Sequence, residues 1–177
     1  MKIADWIRHL EHLAGIPDLR PAPPDATLLA GGRGEQILWR AATGDASADP
    51  DAIVSRSTDG PILAPDAFLA IEVWAECELA SLHALHRLAR LGSESRAGAW
   101  SARLASATRW HLEHTQPDNS TNRPWALHVF LLEGARNPDA SLYAETLLGN
   151  MLATDARSEA LSRWILADAA AELRLAT

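Results

Sequence analysis

A chain of 177 residues, 47% of them apolar, is long enough to bury a core without staples, and its single cysteine, Cys77, excludes an intrachain disulfide or a CxxC zinc site. A net charge of −7 excludes general nucleic-acid binding, which depends on clustered Lys and Arg neutralising phosphates. The charge is uneven, however: residues 87–136 carry seven arginines (Arg87, Arg90, Arg96, Arg103, Arg109, Arg123, Arg136) against four acidic residues, so a small anionic or polar ligand is the expected partner class.

The first expected element is a helix over residues 2–14, with Ile3, Trp6, Ile7 and Leu10 on one face and Gly15 as its stop. Charges recur every few residues through MKIADWIRHLEHLAG, which is unlike a signal peptide, and no run is apolar for the roughly 18 residues a membrane span needs. A cytoplasmic protein that does not engage a membrane is expected. Residues 16–64 are rich in Pro, Gly, Asp and Ala and are expected to form an irregular arm. Within it, EQILWRAA (35–42) and DAIVSRS (51–57) could be short strands, with TGDASADP as turn chemistry between them, giving a short β-hairpin. GGRGEQ lacks the Gly-Lys-Ser/Thr ending of a phosphate loop.

From Pro65 the pattern is helical. Pro65 and Asp66 open a helix reaching Leu91, where Gly92 can close it. A second runs from Glu94 to His114, and the polar loop Thr115 to Arg123 stops it. Pro124 opens a third helix that Gly134 ends. Asn137 caps a fourth, with Pro138 at its first position, and Asp155 caps a fifth that runs to the C-terminus. The expected fold is all-α: an orthogonal bundle or α/α array of five to six helices in a single domain over 1–177. Residues 1–64 supply its N-terminal helix and arm and 65–177 its helical core.

The stretch from Trp110 to Phe130 concentrates the residue types that do chemistry. Trp110 and Trp125 could wall a pocket, Arg123 could bind an anion, Asp118, Asn119 and Asn122 could orient a polar ligand, and His111, His114 or His128 could exchange protons near neutral pH. On the long helix, a step of about 100° per residue gathers Glu72, Glu76, Leu79, His83, His86 and Arg90 into one stripe. With His111 and His114, the carboxylates and imidazoles of that stripe have helical spacings that suit a divalent metal, although neither Glu-x-x-His nor His-Glu-x-x-His is present. Helix-dipole complementarity explains much of the stripe, with Glu72 and Glu76 near a positive end and Arg87, Arg90, His111 and His114 near negative ends.

No serine sits in a Gly-x-Ser-x-Gly elbow, and Cys77 lies in mid-helix. The leading expectation is therefore a small intracellular helical binding or assembly protein with its site around residues 110–130. The alternative is a metal-dependent or histidine acid–base enzyme, hydrolase-like, using the same residues. The last helix offers Leu161, Trp164, Ile165, Leu166, Ala169 and Leu173 over a broad apolar arc suited to homodimer packing.

Overall fold

The computed structural model describes residues 2–15, 33–65, 69–115, 117 and 121–177. Among them the chain is all-α, without a strand, and no described helix is long and apolar enough to cross a membrane. The elements are α1 (Ile3–Ala14), α2 (Arg33–Ala42), α3 (Asp51–Val54), α4 (Ile71–Leu91), α5 (Glu94–His114), α6 (Leu127–Glu133), α7 (Pro138–Ala153), a 3₁₀ turn (Asp155–Ser158) and α8 (Ala160–Leu175). They fall into two compact units, one gathering Met1–Pro24 with Pro117–Thr177 and the other spanning Asp25–Gln116.

The expected β-hairpin is absent: EQILWRAA lies within α2, and DAIVSRS begins with the whole of α3. The side chains of EQILWRAA show why. Glu35, Leu38, Trp39 and Ala42 are the buried set, at spacing i, i+3, i+4, i+7, which is a helical face and not a strand's alternation. TGDASADP does turn the chain, but between helices. Asp45 accepts from the main-chain N–H of Ser47 at 2.8 Å, from its hydroxyl at 2.6 Å and from Arg40 Nε at 2.8 Å, so the turn is pinned to the end of α2.

Several boundaries also move. The long helix begins at Ile71, with Ala70 as its flanking residue, and not at Pro65. The third begins at Leu127, after Ala126 takes a left-handed conformation at φ 56°. Residues 155–175 are not one helix: a turn of 3₁₀ helix ends at Ser158, and α8 starts after Glu159, which is extended. Eight α-helices among the described residues thus replace the expected five to six. Others stand as read. Glycine at 15 closes α1 with φ 68° and its N–H on Glu11 O, and Asn137 caps α7, its side chain accepting from Asp139 N at 3.0 Å with Pro138 at the first position.

In the unit formed by the two ends of the chain, α1 packs along α8, and α6 packs on α7 and α8. Helix α1 buries Trp6, Ile7, Leu10 and Ala14, and α8 buries Trp164, Ile165, Leu166, Ala169 and Leu173, so most of the arc read as a dimer surface is covered inside the unit. Phe130 stacks on Tyr143 with ring centroids 4.2 Å apart, and Arg174 pairs with Glu11 across α8 and α1.

In the other unit, α4 lies between α2 and α5, which both pack on it. This explains why its middle, from Cys77 to Leu85, is buried on every side. Arg87 Nε reaches Ala42 O at 3.3 Å, satisfying a carbonyl at the negative end of α2. The apolar helix therefore carries several polar groups inward, and those groups build the site.

Candidate functional site

The richest polar cluster of the 25–116 unit begins with Glu78, a fully buried carboxylate in the middle of α4. Its Oε1 accepts from the main-chain N–H of Ile62 and its Oε2 from that of Leu63, both at 2.6 Å. A buried carboxylate needs such donors, because an unpaired one would cost far more than folding could offset. On α5, Arg103 is 5% exposed and donates from Nη1 to Gly60 O at 2.8 Å and from Nη2 to Pro61 O at 2.5 Å. Two oppositely charged side chains, each on a long helix, thus hold consecutive main-chain groups of one irregular segment.

His111, one turn from the end of α5, joins the cluster. Its Nε2 stands 3.4 Å from Glu78 Oε1, and its Nδ1 lies 3.2 Å from Thr115 Oγ1. The Thr115 hydroxyl itself donates to His111 O at 2.9 Å, which directs the Nδ1–H toward the threonine oxygen. The carboxylate–imidazole–hydroxyl order resembles an acid–base chain. Glu78 is 0% and His111 2% exposed, and both carboxylate oxygens already accept from the main chain, so the arrangement ties α4, α5 and the 62–63 main chain together.

Beside this cluster an open cleft of about 310 Å³ lies between α3 and α5. It is lined by Asp51, Val54, Ser55, Ser57 and Thr58 on one side and by Ala99, Trp100, Ala102 and Arg103 on the other. Its polar rim is organised. Trp100 Nε1 donates to Asp51 Oδ1 at 2.8 Å, Arg96 Nε is 3.4 Å from Asp51 Oδ2, and the Arg96 guanidinium lies 5.9 Å from the centre of the Trp100 ring. Ser55 Oγ donates to Asp51 O and Ser57 Oγ to Asp59 O, each at 2.5 Å.

Arg103 is the exception to this saturation. Its Nε–H is buried and has no acceptor, and its guanidinium forms no ion pair within 4.0 Å among the described residues. Burial pushes it below the ordinary arginine range, while the charges of Glu78 and Asp59 pull it back up. Asp59 is lowered too, but because its charged form is favoured: donors from Ser106 Oγ at 2.8 Å and Gly60 N at 2.9 Å, with Arg103 and Arg109 nearby, hold its carboxyl below the usual range against a smaller opposing effect of burial.

The residues singled out from the sequence scatter across this picture. The stretch 110–130 is divided between the two units after residue 116, so its halves are described separately. On α5, half-buried Trp110 meets Trp74 edge-on with centroids 6.3 Å apart, and exposed His114 stacks on Trp110 at 5.2 Å with its Nδ1 3.0 Å from Trp110 O. In the other unit, Arg123 Nε donates to Glu159 Oε2 at 2.8 Å, and its main-chain N–H donates to Thr121 Oγ1 at 3.0 Å. Trp125 is buried against Trp164 with centroids 6.5 Å apart, His128 is fully buried, and Asn122 is exposed. Asp118 and Asn119 lie outside the described residues.

The helical stripe on α4 is not one surface. Glu72 is exposed and Glu76 and His86 are half-buried, whereas His83 is enclosed with its ring 5.4 Å from that of Trp39. Glu72 and His83 are eleven residues apart, about 16 Å along the helix, so they cannot share an ion. Among the described residues no three His, Cys, Asp or Glu side chains stand close enough together to hold a metal. His111 finds a carboxylate, but it is Glu78, which the helical stripe left out.

Sequence reasoning missed the cleft because its walls come from residues 51–58 and 99–103, neither of which carries a catalytic motif. One signal was available. Asp51, Arg96, Trp100 and Arg103 place a carboxylate and cations near an aromatic ring, but only the tertiary structure brings position 51 against position 100. No protein-family model, curated protein or solved structure matches this chain.

Proposed function

We propose that this protein is a helical binding protein, and that the α3–α5 cleft takes a small ligand with an apolar body and an anionic head. The observation that carries this reading is Arg103: a nearly buried cation beside the cleft, with both Nη groups engaged by carbonyls and its Nε–H still lacking an acceptor. A negative group brought into the cleft offsets the cost of burying that charge. Val54, Ala99, Ala102 and the Trp100 ring supply apolar wall, and about 310 Å³ matches the lower end of small-molecule sites. The saturated rim and the absence of an accessible nucleophile–base pair at the cleft favour binding over catalysis.

The test is an NMR titration of the uniformly ¹⁵N-labelled full chain with 4-phenylbutyrate and, separately, with the neutral 4-phenylbutanol. The acid is expected to shift the Arg103 Nε–H and the Ser57 and Thr58 amides in a saturable way, with the alcohol at least several-fold weaker. Ala99→Phe, which fills the cleft from the exposed face of α5, should abolish the response. Equal response to acid and alcohol, or shifts that survive Ala99→Phe, would remove the cleft as the site.

A further inference from the structure

Residues 57–63 have neither helix nor strand to hold them, and of their side chains only Ile62 is buried, with Pro61 and Leu63 half-buried. Four of their main-chain groups go instead to two charged side chains: the N–H groups of Ile62 and Leu63 to Glu78, and the carbonyls of Gly60 and Pro61 to Arg103. A third tie, Ser106 Oγ to Asp59, sits at the surface. The partners are on α4 and α5, which pack on each other independently of this segment. Segments with few buried apolar contacts open at the low end of a protein's stability range. The position of this one is set by charge-assisted hydrogen bonds.

The same segment forms part of the cleft, since Ser57 and Thr58 line it. Arg103 is common to both structures: it lines the cleft and clamps the segment. We infer that residues 57–63 are a latch on the cleft, closed by Glu78 and Arg103 and able to release as a unit while α4 and α5 stay folded. The regulatory meaning of the latch rests on the cleft being the binding site. An anionic head in the cleft favours the buried charge of Arg103 without displacing either Nη–H bond to the latch. Occupancy therefore holds the latch shut, and a shut latch favours occupancy, the two effects being reciprocal. Opening carries Ser57 and Thr58 away from the wall and so removes part of the ligand's seat.

Native-state hydrogen exchange on the full chain tests this. In Glu78→Gln, which replaces one of the two acceptor oxygens by a donor, the Ile62 and Leu63 amides should exchange about tenfold faster or more, while Leu82 and Leu85 in the middle of α4 keep their wild-type protection. In the wild type, 4-phenylbutyrate should slow the same two amides. Equal acceleration at Leu82 and Leu85, or none at Ile62 and Leu63, overturns the latch. Should Glu78→Gln fail to fold, Ser106→Ala cuts only the surface tie: it is expected to speed Ile62 and Leu63 without touching α4, and either a global or a null response overturns the proposal. If the amides respond to the substitution while 4-phenylbutyrate neither binds nor slows them, the latch stands and the cleft loses its role as the binding site.

Discussion

Replacing Arg103 by methionine keeps most of the side chain's apolar stem and deletes the guanidinium, so it separates what the charge contributes from what the packing contributes. Two hydrogen bonds disappear, to Gly60 O and Pro61 O, and bonds involving a charged group are worth about 1.5–3 kcal/mol each. Both carbonyls belong to half-buried residues that water can reach once the clamp is gone, which places each loss at the low end of that range. Opposing this is relief of the burial cost: the guanidinium is held below its ordinary range despite the attraction of Glu78 and Asp59, so desolvation outweighs those two charges. The balance is a net loss of roughly 1–3 kcal/mol. For a chain of this length each kcal/mol moves Tm by about 2–4 °C, so Arg103→Met should melt roughly 2–12 °C below wild type. Arg103→Lys should also fall below wild type, because one ammonium cannot reproduce the two-pronged contact with consecutive carbonyls. Urea denaturation at pH 7 with the slope checked for constancy, alongside calorimetry, measures both. A methionine variant as stable as wild type would show that the clamp repays no more than the burial it requires, and a lysine variant equal to arginine would show that the two-pronged geometry is irrelevant.

Two further outcomes follow from local geometry. The Ser47 hydroxyl and main-chain N–H, with Arg40, hold the Asp45 carboxyl at about 2, and burial opposes them only weakly. Because the folded value lies below the unfolded one, near 3.9, its contribution is complete above pH 4 and is lost as pH falls through about 2. A carboxyl-carbon NMR titration should give a midpoint near 2 that rises in Ser47→Ala, and a wild-type midpoint near 4 would contradict the turn's hydrogen bonding. At the junction of α4 and α5, a Cβ on Gly92 would stand 2.8 Å from Trp100 Cζ3 and 3.1 Å from Leu88 O. Gly92→Ala should therefore push the Trp100 ring off Asp51, destabilise by about 1–3 kcal/mol and weaken 4-phenylbutyrate binding. An unshifted Trp100 indole N–H resonance would refute that coupling.

Helix positions in the second half of the chain were legible because their signals are local. Gly92, Gly134, Asn137 and Pro138 act through their own backbone or the next turn, and α5 runs over the residues its pattern marks out. The arm was less legible. EQILWRAA is short enough for alternation and helical spacing to compete, and its burial against α4 decides the matter by enclosing Glu35, Leu38, Trp39 and Ala42. For the site, the arginine-rich middle contains Arg103 and the 110–130 stretch contains His111, but the partner each one meets lies too far along the chain to be read from spacing. Wheel geometry put Glu76 and His83 on a stripe with each other, whereas packing on both sides of α4 buries His83 and selects Glu78 as the carboxylate facing His111.

Local sequence alone sets the helical character of this protein, its stops at Gly15, Gly92 and Gly134, the Asn137 cap and the kinds of side chain gathered around residues 87–136. These depend on contacts within a turn or two, where spacing along the chain is spacing in space. Tertiary structure alone decided that the chain forms two compact units, that residues 57–63 are tied by Glu78 and Arg103, and that Asp51 meets Trp100 across a cleft. The hydrogen bonds among these join positions fifteen to forty-nine residues apart, and the first unit joins the two ends of the sequence given. A buried charge takes whatever partner the fold brings within 3 Å, and no periodicity in the chain records which one that is.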